Sequence, residues 1–172
     1  MKGIKYALIL LTHLISTSIM AEFNLSSSGF KNLEQIPEKH TCLGKDESPD
    51  LSWTNPPLET QSFALCIEDP DAPQGLFIHW IAYNIPKNIT NLPSNIETTP
   101  VTIHGICQGI NDFGNVGYGG PCPPPQQKHR YIFTLYALDA RLNLPPLATY
   151  ASFKKTIEPH ILGKAELTGL FK

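Results

Sequence analysis

Residues 131–138 read Tyr131-Ile132-Phe133-Thr134-Leu135-Tyr136-Ala137-Leu138, a run rich in aromatic and β-branched side chains. Apart from Thr134, both alternating faces are apolar. A strand with one wet face would alternate apolar with polar, so this one belongs in the middle of a sheet covered on both sides. Working outward, further short β-prone runs occur at residues 23–26, 62–68, 79–85 and 101–107, each bounded by Pro, Gly, Asn or Asp. A last strand is expected at residues 165–171. Only residues 150–158 carry helical spacing, with Tyr150, Phe153 and Ile157 on one face, and Pro159 either stops that helix or opens a second turn. Many short strands with one or two short late helices predict a mostly β fold, built as a sandwich.

Composition narrows the function classes. The chain has 172 residues, which suits one domain. Its 16 Pro and 12 Gly follow no period, which excludes a collagen-like repeat, and apolar residues are spread evenly enough to argue against disorder. Basic residues number 13 against 15 acidic ones and form no block, so nothing here neutralises a nucleic-acid backbone. Residues 1–21 combine Lys2 and Lys5 with an apolar run to Met20 and a small exit residue, Ala21, the pattern of a secretory signal peptide. That run is short for a bilayer, which needs about 20 residues. The expected organisation is a signal peptide at 1–21 and one domain at 22–172, periplasmic or secreted.

Cysteine usage agrees with that address. Cys42, Cys66, Cys107 and Cys122 all follow the cleavage point, and an oxidising compartment permits disulfides. Four cysteines allow three full pairings, and spacing alone leaves the choice open. Neither Cys-x-x-Cys nor His-x-x-x-His occurs, so zinc lacks ligand spacing. Cys66, inside an apolar run, also reads as a small buried hydrophobe.

Three polar clusters stand at strand ends. They are Asp69-Pro70-Asp71-Ala72-Pro73, then His79-Trp80, then a Gly- and Pro-rich loop over residues 111–125 that leads into His129-Arg130-Tyr131. Taken singly, each is ordinary structure, a turn or a core histidine. Taken together, two Asp, two His, a Tyr and a Gly-rich loop suggest one mouth. The loop lacks the lysine of a nucleotide-binding P-loop, there is no Gly-x-Ser-x-Gly elbow, and no nucleophile stands beside a base. Binding is a simpler account than covalent catalysis, and no cofactor is implied. A hydrolase using His79 or His129 as general base, and an inhibitor or protein-interaction module, are the alternatives.

These motifs, together with Ser48-Pro49-Asp50-Leu51-Ser52-Trp53, Gly117-Tyr118-Gly119-Gly120-Pro121 and the ending His160-Ile161-Leu162-Gly163-Lys164-Ala165-Glu166-Leu167-Thr168-Gly169-Leu170, resemble the phosphatidylethanolamine-binding protein family, more closely its bacterial Raf kinase inhibitor-like branch. The resemblance implies an antiparallel β-sandwich with a small anion pocket for phosphate or phosphoethanolamine-type head groups, so that any membrane contact would run through lipid head groups. It places Asp69 and Asp71 on the family's acidic pair, His79 on a pocket histidine, Tyr118, Gly120 and Pro121 on the pocket-floor loop, and His129 and Tyr131 on the His-Arg-Tyr motif. It also favours a Cys42–Cys122 bridge. Two departures stand out. Residues 125–128 are Pro-Gln-Gln-Lys where many relatives have a glycine, and the chain stops short of the long C-terminal helix of animal members, so their kinase inhibition is not carried over. Physically, carboxylates beside the imidazoles are expected to keep them cationic, with the amides of residues 117–120 as further donors to an oxyanion.

Overall fold

The structure is a computed structural model and describes residues 21–172. The expected signal peptide therefore lies outside the described residues, except for Ala21. The strands are β1 (Asn24–Ser26), β2 (Glu34–Gln35), β3 (Leu51–Thr54), β4 (Ser62–Asp69), β5 (Phe77–Pro86), β6 (Asn91–Leu92), β7 (Cys107–Gln108), β8 (His129–Leu138) and β9 (Ile161–Phe171), with one helix, α1 (Tyr150–Ile157), before β9. They form a three-stranded sheet ordered β1-β3-β6 and a six-stranded sheet ordered β2-β9-β8-β4-β5-β7. Pairing is antiparallel throughout, except where β2 runs parallel to β9.

The double-faced strand is central as expected. Tyr131, Phe133, Leu135 and Ala137 of β8 face the small sheet and pack with Leu25, Leu51, Trp53, Phe63 and Trp80. Tyr136 and Leu138 face the other way, into a second core closed by Phe153 and Ile157 of α1. Alternation by two residues sends successive side chains to opposite faces, so one strand feeds two cores. Trp53 plugs the first core, edge-on to Phe63 at 5.2 Å. Thr149 caps α1 by accepting the Ser152 amide through its hydroxyl, and Pro159 sits in a single 3-10 turn, Glu158–His160, that continues the helix before β9.

One expectation is corrected, and the pairing left open for two cysteines is decided. Residues 101–107 do not form one strand: only Cys107 enters a strand, β7, Val101 makes an isolated bridge to it, and the segment between folds back on itself, with the Gly105 amide donating to the Thr102 carbonyl. Gly105 takes φ +74°, a left-handed turn open to glycine and closed to most side chains, so the β-branched run is broken there. Cys66 and Cys107 are free and buried. Cys66 pairs across from Ile81 and Cys107 from Tyr83, on opposite sides of β5. Two strand spacings, about 10 Å, exceed the reach of a disulfide.

Candidate functional site

The site lies at one end of the large sheet, where β4 ends, β5 begins and β8 begins. Asp69 is the last residue of β4 and His129 the first of β8. His129 Nδ1 donates to Asp69 Oδ2 at 2.8 Å, and both residues are 3% exposed. Asp69 Oδ1 accepts the Asp71 amide at 2.8 Å, a turn that Asp forms readily. One carboxylate thus fixes both its own corner and the imidazole.

His79 is aimed by a defect in the sheet. Ile67 pairs with Trp80 and Glu68 with Ile78, so His79 is the extra residue of a β-bulge. A bulge re-aims a side chain and is common beside functional sites. Residues 111–119 hold it in place. The Ile78 amide donates to Asp112 Oδ2 at 2.8 Å, and the Asp112 amide donates to the Ile78 carbonyl at 2.9 Å. The Gly119 amide donates to the His79 carbonyl at 2.9 Å, and His79 Nδ1 returns the bond to the Gly119 carbonyl at 2.7 Å. Phe77, Phe113 and Tyr131 wall the ring, with centroids 5.1–5.4 Å away. Asp112 has no signal of its own in the sequence: a carboxylate two residues before Gly114, inside the turn that the Gly114 amide closes on Asn111, is indistinguishable from an ordinary loop residue.

Between these groups lies a cavity of about 190 Å³, lined by Asp69, Ala72, Pro73, Phe77, His79, Phe113, Cys122, Pro123, Pro124 and His129. At about 30 Å³ per water it holds a small polar group, not a bulky one. Nε2 of His79 and of His129 makes no hydrogen bond among the described residues, and neither atom is sealed off. The two free ring nitrogens therefore look into the same space.

The other expected residues take supporting places. Asp71 leaves the cavity for Arg130, whose Nε and Nη2 donate to it at 2.8 and 2.7 Å. The guanidinium holds the Asp71 carboxyl at about 2. Tyr118 packs edge-on to Trp80 and donates to the His40 carbonyl at 2.6 Å. The Gly120 amide donates to Asp46 Oδ1 at 2.7 Å, and the Pro121 carbonyl accepts the Cys42 amide. The Cys42–Cys122 disulfide closes the same seam. Amides expected to greet an anion are thus already committed: Gly117 to Gly109, Gly119 to His79 and Gly120 to Asp46. Where relatives were expected to carry glycine, Gln126 adopts φ +65° itself.

Electrostatics corrects the picture of two cationic rings. Burial pushes the His79 pKa down, and the Gly119 carbonyl and Asp69 do not restore it. Its neighbour at Nδ1 is a neutral carbonyl, so no acid holds a second proton on it. Tyr131 lies wholly buried against His79, and burial together with the nearby Asp69 carboxylate pushes its pKa up.

Comparison with known proteins agrees with this architecture. The family model for phosphatidylethanolamine-binding protein matches residues 26–172. A UPF0098 protein of Aquifex aeolicus is 44% identical over 167 residues, covering 90% of this chain and 97% of its own length. Among solved structures, a phosphatidylethanolamine-binding protein homologue from Chlamydia trachomatis superposes with TM-score 0.80 at 37% identity, over 87% of this chain and 97% of its own. Escherichia coli YbcL, described as a new member of the mammalian PEBP family, superposes with TM-score 0.82 at 33% identity, over 88% and 99%. With fold, motif order and sequence similarity all in agreement, the chain belongs to the phosphatidylethanolamine-binding protein family.

Proposed function

We propose that this protein is a periplasmic or secreted binding protein that holds a small phosphorylated or otherwise oxyanionic group, without chemistry on it, in the cavity between His79 and His129. The observation that carries the reading is the convergence of two uncommitted imidazole Nε2 atoms on one small cavity, one ring oriented by a buried carboxylate and the other by a backbone carbonyl. Such rings are oriented before a guest arrives, which lowers the cost of ordering them on binding. Apolar walls from Phe77, Phe113, Pro73, Pro123 and Pro124 exclude water and strengthen hydrogen bonds made inside. Asp71, tied to Arg130, supports the corner from outside and is not assigned a ligand contact.

Titration calorimetry with phosphoethanolamine at pH 6 is the test. Saturable binding is expected in the parent protein, and at least a tenfold loss in His129→Ala, which removes one of the two rings. No heat in the parent protein would sink the reading. Turnover of a phosphoester panel that disappears in His129→Ala would instead reassign the site to a hydrolase.

A further inference from the structure

The native bridge is the least local pairing that the four cysteines allow. Cys42–Cys122 spans 80 residues, while Cys107 stands 15 positions before Cys122 and Cys66 stands 24 after Cys42. The probability of closing a flexible loop falls as about the three-halves power of its length. An unfolded chain therefore makes those two short pairings about twelvefold and about sixfold more often than the native one. Both short bridges can form together, and together they use all four thiols. The folded protein nevertheless keeps Cys66 and Cys107 as buried thiols. We infer, building on the secreted reading above, that this protein matures through a partner: a reduced dithiol oxidoreductase that reopens wrong bridges in its unfolded chain.

Topology delays the contacts that would choose the right pair. The segment leading to Cys42 is fastened to the large sheet by the last strand of the chain: β2 pairs with β9, the Leu33 amide donates to the Thr168 carbonyl and the Ile36 amide to the Leu170 carbonyl. A chain entering an oxidising compartment N-terminus first has presented all four thiols before β9 arrives. Wrong bridges then oppose the fold. Cys66 is 0% exposed in the middle of β4, in the core shared with Ala64, Tyr83 and Phe153, whereas Cys42 and Cys122 are exposed at the end of the sheet. Cys107 pairs across from Tyr83, while the Gly119 amide donates to His79, about 13 Å further along β5, with Cys122 beyond it.

With both short bridges closed, no thiol remains in the chain to begin an exchange. The partner's thiolate attacks the Cys42–Cys66 bridge and forms a mixed disulfide with one of its cysteines. The partner's second thiol resolves it, so the partner leaves as a disulfide and Cys42 and Cys66 as thiols. The Cys42 thiolate then attacks Cys122 in the remaining bridge, closing Cys42–Cys122 and releasing Cys107. One dithiol is oxidised and one chain disulfide reduced, so two electrons and two protons end on Cys66 and Cys107.

The experiment is oxidative refolding of the reduced, unfolded protein in three arms: oxidised glutathione alone, oxidised with reduced glutathione, and oxidised glutathione followed by a reduced Cys-x-x-Cys protein. Pairing is read by mass spectrometry of peptides cut without reduction, and folding by near-ultraviolet circular dichroism. Oxidised glutathione alone is expected to leave most chains bridged through Cys66 or Cys107 and unfolded. Either exchange arm should raise the native yield at least threefold (a factor well inside the loop-closure bias) with Cys66 and Cys107 recovered as thiols. In Cys66→Ala/Cys107→Ala no wrong pair exists, so all three arms should give the same native yield. Equal yields across the arms in the parent protein would overturn the inference, because the fold would then pair the cysteines before oxidation does. A double variant that still needs exchange would overturn it too, since mispairing would not be the obstacle. Chain recovered from its cells with all four thiols reduced would remove the secreted reading, and the partner with it, whatever the refolding arms show.

Discussion

Reduction of the Cys42–Cys122 bridge is expected to lower the stability of the domain by roughly 4 kcal/mol and to weaken the pocket at the same time. The sequence separation of 80 residues sets the magnitude, because cross-linking a loop of that size removes about that much chain entropy from the unfolded state. For a domain of this size each kcal/mol moves Tm by about 2–4 °C, so a drop of about 8–16 °C follows. Both cysteines are exposed, so a small dithiol reaches them without prior unfolding. Cys122 also lines the cavity, and its partner sits in the segment whose Asp46 holds the Gly120 amide. Thermal unfolding with and without dithiothreitol, with the double variant Cys42→Ser/Cys122→Ser as the reductant-insensitive control, measures the effect. A Tm that moves by less than about 2 °C in both would show that the bridge contributes little and that the seam is held by its hydrogen bonds alone.

How far the sequence could be read follows from whether a property is local. The apolar faces of residues 131–138 and the spacing of Tyr150, Phe153 and Ile157 are local patterns, and both became the expected elements. The two-residue strands β2 and β6 carry too few side chains to make a pattern; a neighbour's edge creates them. At the site, residue types were legible and roles were not. Asp69 and Asp71 stand two residues apart in one motif, yet one turns in to His129 and the other out to Arg130, because the strand ends at Asp69 and the chain turns at Pro70 and Asp71. The direction of His79 depends on a bulge, which is a property of pairing between β4 and β5. Its charge depends on whether Nδ1 meets an acid or a carbonyl, and the carbonyl belongs to a residue 40 positions away. The glycine-rich loop has the amides that an anion site would use, but they hold the fold together at this end of the sheet.

Gly120→Ala is expected to be the most damaging single-atom addition at the floor of the site. A Cβ there would lie 2.4 Å from the His40 carbonyl oxygen, 2.5 Å from Asp46 Oδ1 and 2.9 Å from Thr41 Cα. Asp46 could rotate away, but only by releasing the Gly120 amide that it accepts. The other two atoms are backbone and yield only if the segment of residues 38–47 shifts as a body. Overpacking of this kind costs about 1–3 kcal/mol when side chains can adjust, and this site lies at or above the top of that range. The shift would also pull on Tyr118, which donates to the same His40 carbonyl, and on Cys122 in the cavity wall. Affinity for phosphoethanolamine should therefore fall together with the urea midpoint. Gly114→Ala is the control: at φ +81° it carries backbone strain, but nothing lies within 4 Å of its Cβ, so its cost should stay near 1 kcal/mol. Because Gly120 and the disulfide act on one seam, combining Gly120→Ala with Cys42→Ser/Cys122→Ser should cost less than the sum of the separate changes. Strict additivity would mean that loop and floor are fastened independently; a midpoint unchanged in Gly120→Ala would mean that the segment of residues 38–47 is not pressed against the floor in solution.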